Sequence, residues 1–149
     1  MILYKDKVIK DSYQIIINID QLKELKRKSI LISIDFWKTH KELIIKHKSN
    51  IGLEINSDQP LESVRDDFDY FKLIQFKFIT FKDGRPFSLA KKLRRFYNFK
   101  NEIRASGHIL PDQYVFLTRC GFNSVNIEEK SLETWLKFLK MDEGIYYQP

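Results

Sequence analysis

From residue 29 onward the chain alternates between short β-branched or aromatic runs and longer stretches whose apolar positions recur every three or four residues. The run "SILISIDFW" (29–37) is apolar enough for burial on both faces, as strands of parallel sheets are. "NIGLEI" (50–55), "KLIQFKFITF" (72–81), "NEIRAS" (101–106) and "NSVNI" (123–127) repeat the theme. Each is followed by a stretch of helical period. Thr39 and Glu42 form a capping box for the first helix. Pro60 opens the second, with Leu61, Val64, Phe68 and Phe71 on one face. Leu89, Leu93 and Phe96 mark the face of the third, opposite a row of cations. "LPDQYVFLTRCG" is a short helix, with Pro111 at its first position and Gly121 as its stop. "SLETWLKFLKM" closes the series with Leu132, Trp135, Leu136 and Leu139 on one side.

Strand and helix thus alternate five times, the pattern of βα units in a mainly parallel sheet of about five strands. Two architectures fit: a partial (β/α) barrel or an open three-layer sandwich. The expected organisation is a single α/β domain over 1–149. Residues 1–20 form a short antiparallel, hairpin-like start in which "KVIK", "DS" and "YQIIINI" read as strand, turn and strand. Residues 142–149 form a C-terminal tail. A half barrel leaves open sheet edges, which a homodimer would cover.

Composition narrows the class. The chain has 149 residues, 43% apolar and 31% charged, and is rich in aromatic residues, with twelve Phe, seven Tyr and two Trp. That is the profile of a globular chain with a full core. The single cysteine, Cys120, excludes an internal disulfide and a multi-thiolate metal or iron–sulfur centre, and fits a reducing cytoplasm. The first residues lack the apolar core of a signal peptide, and no run approaches the roughly 20 apolar residues of a membrane span. Net charge is +6, but the lysines are scattered among acids, which favours a solvated surface over a nucleic-acid patch.

Candidate chemistry collects where strands end, since parallel α/β folds bind ligands beyond their strand C-termini. In "DGRPFS", Asp83-Gly84 is a turn pair and Pro86 suits a first helical turn. The free N–H groups near Ser88, together with Arg85, make a candidate oxyanion site. The competing reading has Asp83 and Arg85 simply binding each other. His108 follows the next strand, and Asp112 stands close enough in sequence to orient it. Asp83, His108 and Asp112 are therefore the acid–base candidates. The five glycines are too far apart for G-x-G-x-x-G, there is no Walker loop, and His40 and His47 lack a carboxylate cluster. No cofactor or metal is expected.

"DGRPFSLAKKLR" followed by "EIRASGHILPDQYVFLTRCGF" resembles the bacterial family catalogued as domain of unknown function 934. The family pattern runs approximately D-G-R-x-x-S-x-A-x-x-L-R, then E-x-R-A-x-G, D-Q and R-C-G-F. The matching positions are Asp83, Gly84, Arg85, Ser88, Ala90, Leu93 and Arg94; then Glu102, Arg104, Ala105 and Gly107; then Asp112 and Gln113; and Arg119, Cys120, Gly121 and Phe122. The closing "YYQP" is similar to the family's tail. His108 departs from the pattern, where an acid is common. The resemblance implies a part in sulfite reduction, since members are labelled candidate oxidoreductases of that process, with no catalytic mechanism established.

Two functions follow as expectations. The first is an accessory protein of assimilatory sulfate and sulfite reduction without a redox cofactor of its own. It would bind a small sulfur oxyanion through Arg85, Ser88 and Arg104, or dock sulfite reductase or a related enzyme through Tyr146 and Tyr147. The alternative is a small enzyme acting on a phosphorylated or carboxylated metabolite.

Overall fold

The computed structural model describes residues 1–25 and 28–146, with 140–146 described as backbone. Six strands run parallel and lie side by side in chain order: β3 (Tyr13–Ile15), β4 (Ser29–Ser33), β5 (Asn50–Asn56), β6 (Phe71–Phe78), β7 (Glu102–Gly107) and β8 (Ser124–Asn126). An antiparallel hairpin of β1 (Ile2–Tyr4) and β2 (Lys7–Ile9) extends the sheet past β8, giving eight strands in the order β2-β1-β8-β7-β6-β5-β4-β3. The sheet is therefore mixed, and larger than the five strands expected.

Because the parallel strands never reverse order, every crossover steps the same way and the helices collect on one face. One core cluster shows this. Ile30, Leu53, Ile74, Phe76, Ile103 and Val125 of the sheet pack with Leu22 of α1 (Ile19–Lys23), Trp37 and Ile44 of α2 (Ile34–Lys46), Leu93 of α3 (Arg85–Arg95), Leu117 of α4 (Tyr114–Cys120) and Trp135 of α5 (Leu132–Tyr146). Leu31 and Leu73 are buried yet stand outside that cluster, on the opposite face. A sheet that carries its helices on one side only curls as a barrel wall does, and the architecture is a half-barrel. A three-layer sandwich would need helices on both faces.

The N-terminal segment differs from the expected hairpin. "KVIK" pairs with β1, whereas "YQI" leaves for the far edge and joins β4 in parallel. Two of the outward N–H groups, at either end of that edge, are occupied locally: Tyr13 N–H donates to Asp11 Oδ1 (3.0 Å) and Ile17 N–H to Gln21 Oε1 (2.7 Å). Side chains that occupy an edge in this way discourage a further strand from pairing there.

Two helices also depart from expectation. α2 is capped six residues before Thr39, because Ser33 Oγ already accepts from Phe36 N–H (3.1 Å). Thr39 instead donates back to Asp35 O (2.8 Å), beside a kink at His40. Between β5 and β6 there is no α-helix but two 3-10 turns, Leu61–Val64 and Phe68–Tyr70. All four apolar positions there are buried, so the periodicity marked the correct face. The turn at Asp67, whose carboxylate takes Trp37 Nε1 (2.9 Å) and Lys41 Nζ (2.6 Å), divides the segment. In α3 the buried face is Pro86, Ala90 and Leu93, while Phe96 lies past the helix end, exposed. α5 continues through Tyr146, so most of the expected tail is helical backbone. Among the described residues no helix is long and apolar enough to cross a membrane.

Candidate functional site

The rim where β5, β6 and β7 end is built around Asp83. Its side chain is almost fully buried, and it gathers the loop after β6 into a turn. Oδ1 accepts from Arg85 N–H (3.2 Å) and Arg85 Nε (3.0 Å), and Oδ2 accepts from Ile79 N–H (3.4 Å) and Arg85 Nη2 (3.4 Å). Arg85 Nη2 also donates to Ser57 Oγ beyond β5 (3.0 Å). Burial alone would raise the carboxyl pKa, but the bonds from Arg85, Ser57 and the two backbone N–H groups outweigh it and bring it to about 2. The same pairing raises the Arg85 pKa. Asp83 is thus the resident anion at the start of α3, with Arg85 as its counter-ion. Ser88 is exposed on the first turns of α3.

The β7 loop meets this rim through Gly107. Its φ of +87° is one that L side chains rarely adopt, and a Cβ there would lie 2.4 Å from Phe78 O. The close approach lets His108 N–H donate to Phe78 O (3.1 Å) and sets the His108 ring edge-on to Phe81, with centroids 4.9 Å apart. Asp112 lies on a 3-10 turn (Pro111–Gln113), exposed, and no hydrogen bond joins it to His108 among the described residues. The side chain that closes that turn is Gln113, accepting from Leu110 N–H (2.9 Å). Tyr146 lies in α5 with its side chain outside the described structure, and Tyr147 lies outside the described residues.

Arg104 is not at the rim. It sits in mid-strand, 3% exposed, on the helix-free face. The expected pairing of Arg85 with Arg104 around one anion does not form, and each guanidinium is held by carboxylates of its own. Arg104 Nη1 donates to Asp11 Oδ1 (3.3 Å) and Nη2 to Glu102 Oε2 (3.2 Å), and the guanidinium lies 5.4 Å from the Tyr13 ring centre. Ser124 Oγ donates to the same Glu102 oxygen (2.7 Å). Burial, with the Glu102 carboxylate next, pushes the Tyr13 hydroxyl pKa up.

This group belongs to a polar row that reasoning from the sequence missed. Strand register sets Ser33, Glu54, Gln75, Arg104 and Ser124 side by side across β4 to β8. Gln75 Nε2 donates to Glu54 Oε2 (2.5 Å). A sequence signal existed: "GLEIN", "LIQFK", "EIRAS" and "NSVN" each carry a polar residue inside an otherwise buried strand.

A model of the family described as bacterial protein of unknown function (DUF934) matches residues 52–149, from β5 to the end. The chain belongs to that family. No curated protein matches it. The matched region of this DUF934 chain contains the Asp83–Arg85 pair, Gln75, Arg104 and Gly107. It also contains Arg94, whose Nε and Nη2 donate to Gly121 O (3.1 and 2.9 Å). Nη1 reaches Phe99 O (2.8 Å) and Asn101 O (2.7 Å), and Nη2 reaches Asn123 Oδ1 (2.5 Å). Arg94 therefore ties the entries of β7 and β8 to α3, a structural role. Cys120 is buried at the end of α4, where burial pushes its thiol pKa up and keeps it protonated.

Proposed function

We propose that the chain is an accessory protein of assimilatory sulfite reduction, without a redox cofactor of its own, that docks the reductase or a neighbouring enzyme of sulfate assimilation. The pathway comes from the family resemblance carried by the Asp83–Arg94 and Glu102–Phe122 motifs. The observation that supports docking over oxyanion capture is the rim itself. Its arginine is already neutralised by Asp83, while Ile79, Phe81 and Leu110 stand 43–50% exposed around His108. Apolar and aromatic groups beside a tied charge suit a protein partner better than a sulfur oxyanion.

The alternative, acid–base catalysis on a phosphorylated or carboxylated metabolite, has less support. A carboxylate with a pKa of about 2, spanned by several donors, is a weak base near neutral pH. The test is co-purification of the tagged chain with sulfite reductase, together with sulfite and sulfate titrations followed by thermal unfolding. Co-purification without an oxyanion shift supports docking. An oxyanion shift lost in Arg85→Ala, with no co-purification, overturns it.

A further inference from the structure

The two longest stretches of the chain without an acid are 84–101 and 113–127, and they hold α3 and α4. The first carries Arg85, Lys91, Lys92, Arg94, Arg95 and Lys100, and the second carries Arg119. Three of these cations are engaged: Arg85 by Asp83, Lys92 by Glu62, and Arg94 by the carbonyls of Phe99, Asn101 and Gly121. Lys91, Arg95, Lys100 and Arg119 are exposed and make no ion pair among the described residues. They gather on the side of α3 that meets α4. Lys91 and Arg95 stand one turn apart, and both are near enough to the Cys120 thiol to oppose the rise that its burial causes. Lys91 Nζ lies 5.6 Å from the centre of the Phe116 ring, which is 48% exposed. Arg119 follows Phe116 by three residues, on the same side of α4. Lys100 shares an open hollow of about 420 Å³ with Thr118 and Asn123 at the end of α4. The acid nearest this region, Glu62, takes Lys92 instead.

We propose that this α3–α4 face docks an acidic protein surface. Carboxylates of the partner meet Lys91, Arg95, Lys100 and Arg119, and an apolar side chain between them covers the exposed part of Phe116. Charge complementarity carries the choice of partner. Like charges one turn apart on a helix repel, and carboxylates placed against them turn that repulsion into attraction. A half-exposed aromatic ring among the cations suits a protein surface, where aromatic anchors sit within a charged surround. Nucleic acid fits less well. Single strands are held by bases stacked on free ring faces, whereas Phe116 already has Lys91 over its face and Phe87 beside it, with centroids 4.7 Å apart. The face uses no residue of the rim, so it stands or falls separately from docking at Phe81.

The test is fluorescence anisotropy at physiological salt. The full chain is titrated into a labelled peptide of repeated Glu-Glu-Leu, its Gln-Gln-Leu counterpart, and a labelled oligodeoxythymidine. Saturable binding of the acidic peptide, at least about tenfold tighter than of the other two, is expected. Lys91→Glu with Arg95→Glu should weaken it at least about tenfold. Lys38→Glu with Lys46→Glu changes the net charge equally on α2 and should leave the affinity within about twofold. All four positions are exposed, so unfolding midpoints should stay near that of the parent. Should the first pair lower the midpoint, Arg119→Glu reads the loss from α4 instead. Tighter binding of the oligonucleotide, equal losses in the two double variants, or no binding of the acidic peptide would each overturn the proposal.

Discussion

Arg94 and Gly121 are fitted to each other: two guanidinium nitrogens grip the Gly121 carbonyl, while a Cβ at Gly121 would stand 2.7 Å from Arg94 Cγ. Gly121 also ends α4 with a φ of +110°, so the helix stop and the space for the arginine depend on the same missing side chain. Gly121→Ala should therefore cost about 2 kcal/mol, combining left-handed strain with a displaced Arg94. Urea unfolding measures it, and a midpoint equal to the parent would show that the arginine grip is dispensable.

The glycines of the rim should separate in the same assay. Gly107→Ala forces a methyl group against Phe78 O and should cost about 2 kcal/mol or more. Gly84 has nothing within 4 Å of a built Cβ and a negative φ, so Gly84→Ala should be neutral within about 0.5 kcal/mol. Equal effects at both positions would contradict the close strand crossing at His108.

Asp83 should make stability depend on acid. Its pKa in the folded chain, about 2, lies below that of an unfolded aspartate, so its contribution is fully present above about pH 4 and is lost as pH falls towards 2. The shift corresponds to about 2 kcal/mol. Asp83→Asn should be less stable than the parent at neutral pH, and the gap should close as pH is lowered through that window. A gap that stays constant with pH would mean the carboxylate charge contributes nothing.

If the rim docks a partner, Phe81→Ala should weaken binding at least about tenfold, as loss of an aromatic anchor does, without lowering the unfolding midpoint. Phe81 is half exposed, so its removal leaves the core intact. A surface-binding assay with purified reductase reads this directly, and unchanged affinity would move the contact elsewhere.

The polar row was legible in principle but not in practice. Gln75 in "KLIQFKF" looks like one polar interruption of an apolar strand, and Glu54 and Arg104 look the same in theirs. Only pairing register shows that these interruptions stand side by side. The rim was read more fully, because Asp83, Arg85 and Pro86 act within one turn and the mutual binding of Asp83 and Arg85 is a local event.

By itself the sequence determined the alternation of strand and helix, the positions of β5 to β8, the stop of α4 at Gly121 and the family, because period, caps and motifs are short-range properties of the chain. Tertiary structure decided the rest. The path of "YQI" to the far edge, the replacement of a helix by two 3-10 turns, and the placement of Arg104 inside the half-barrel depend on which strands become neighbours. That choice is settled by burying one whole face of the sheet against helices far apart in sequence, which no local stretch encodes.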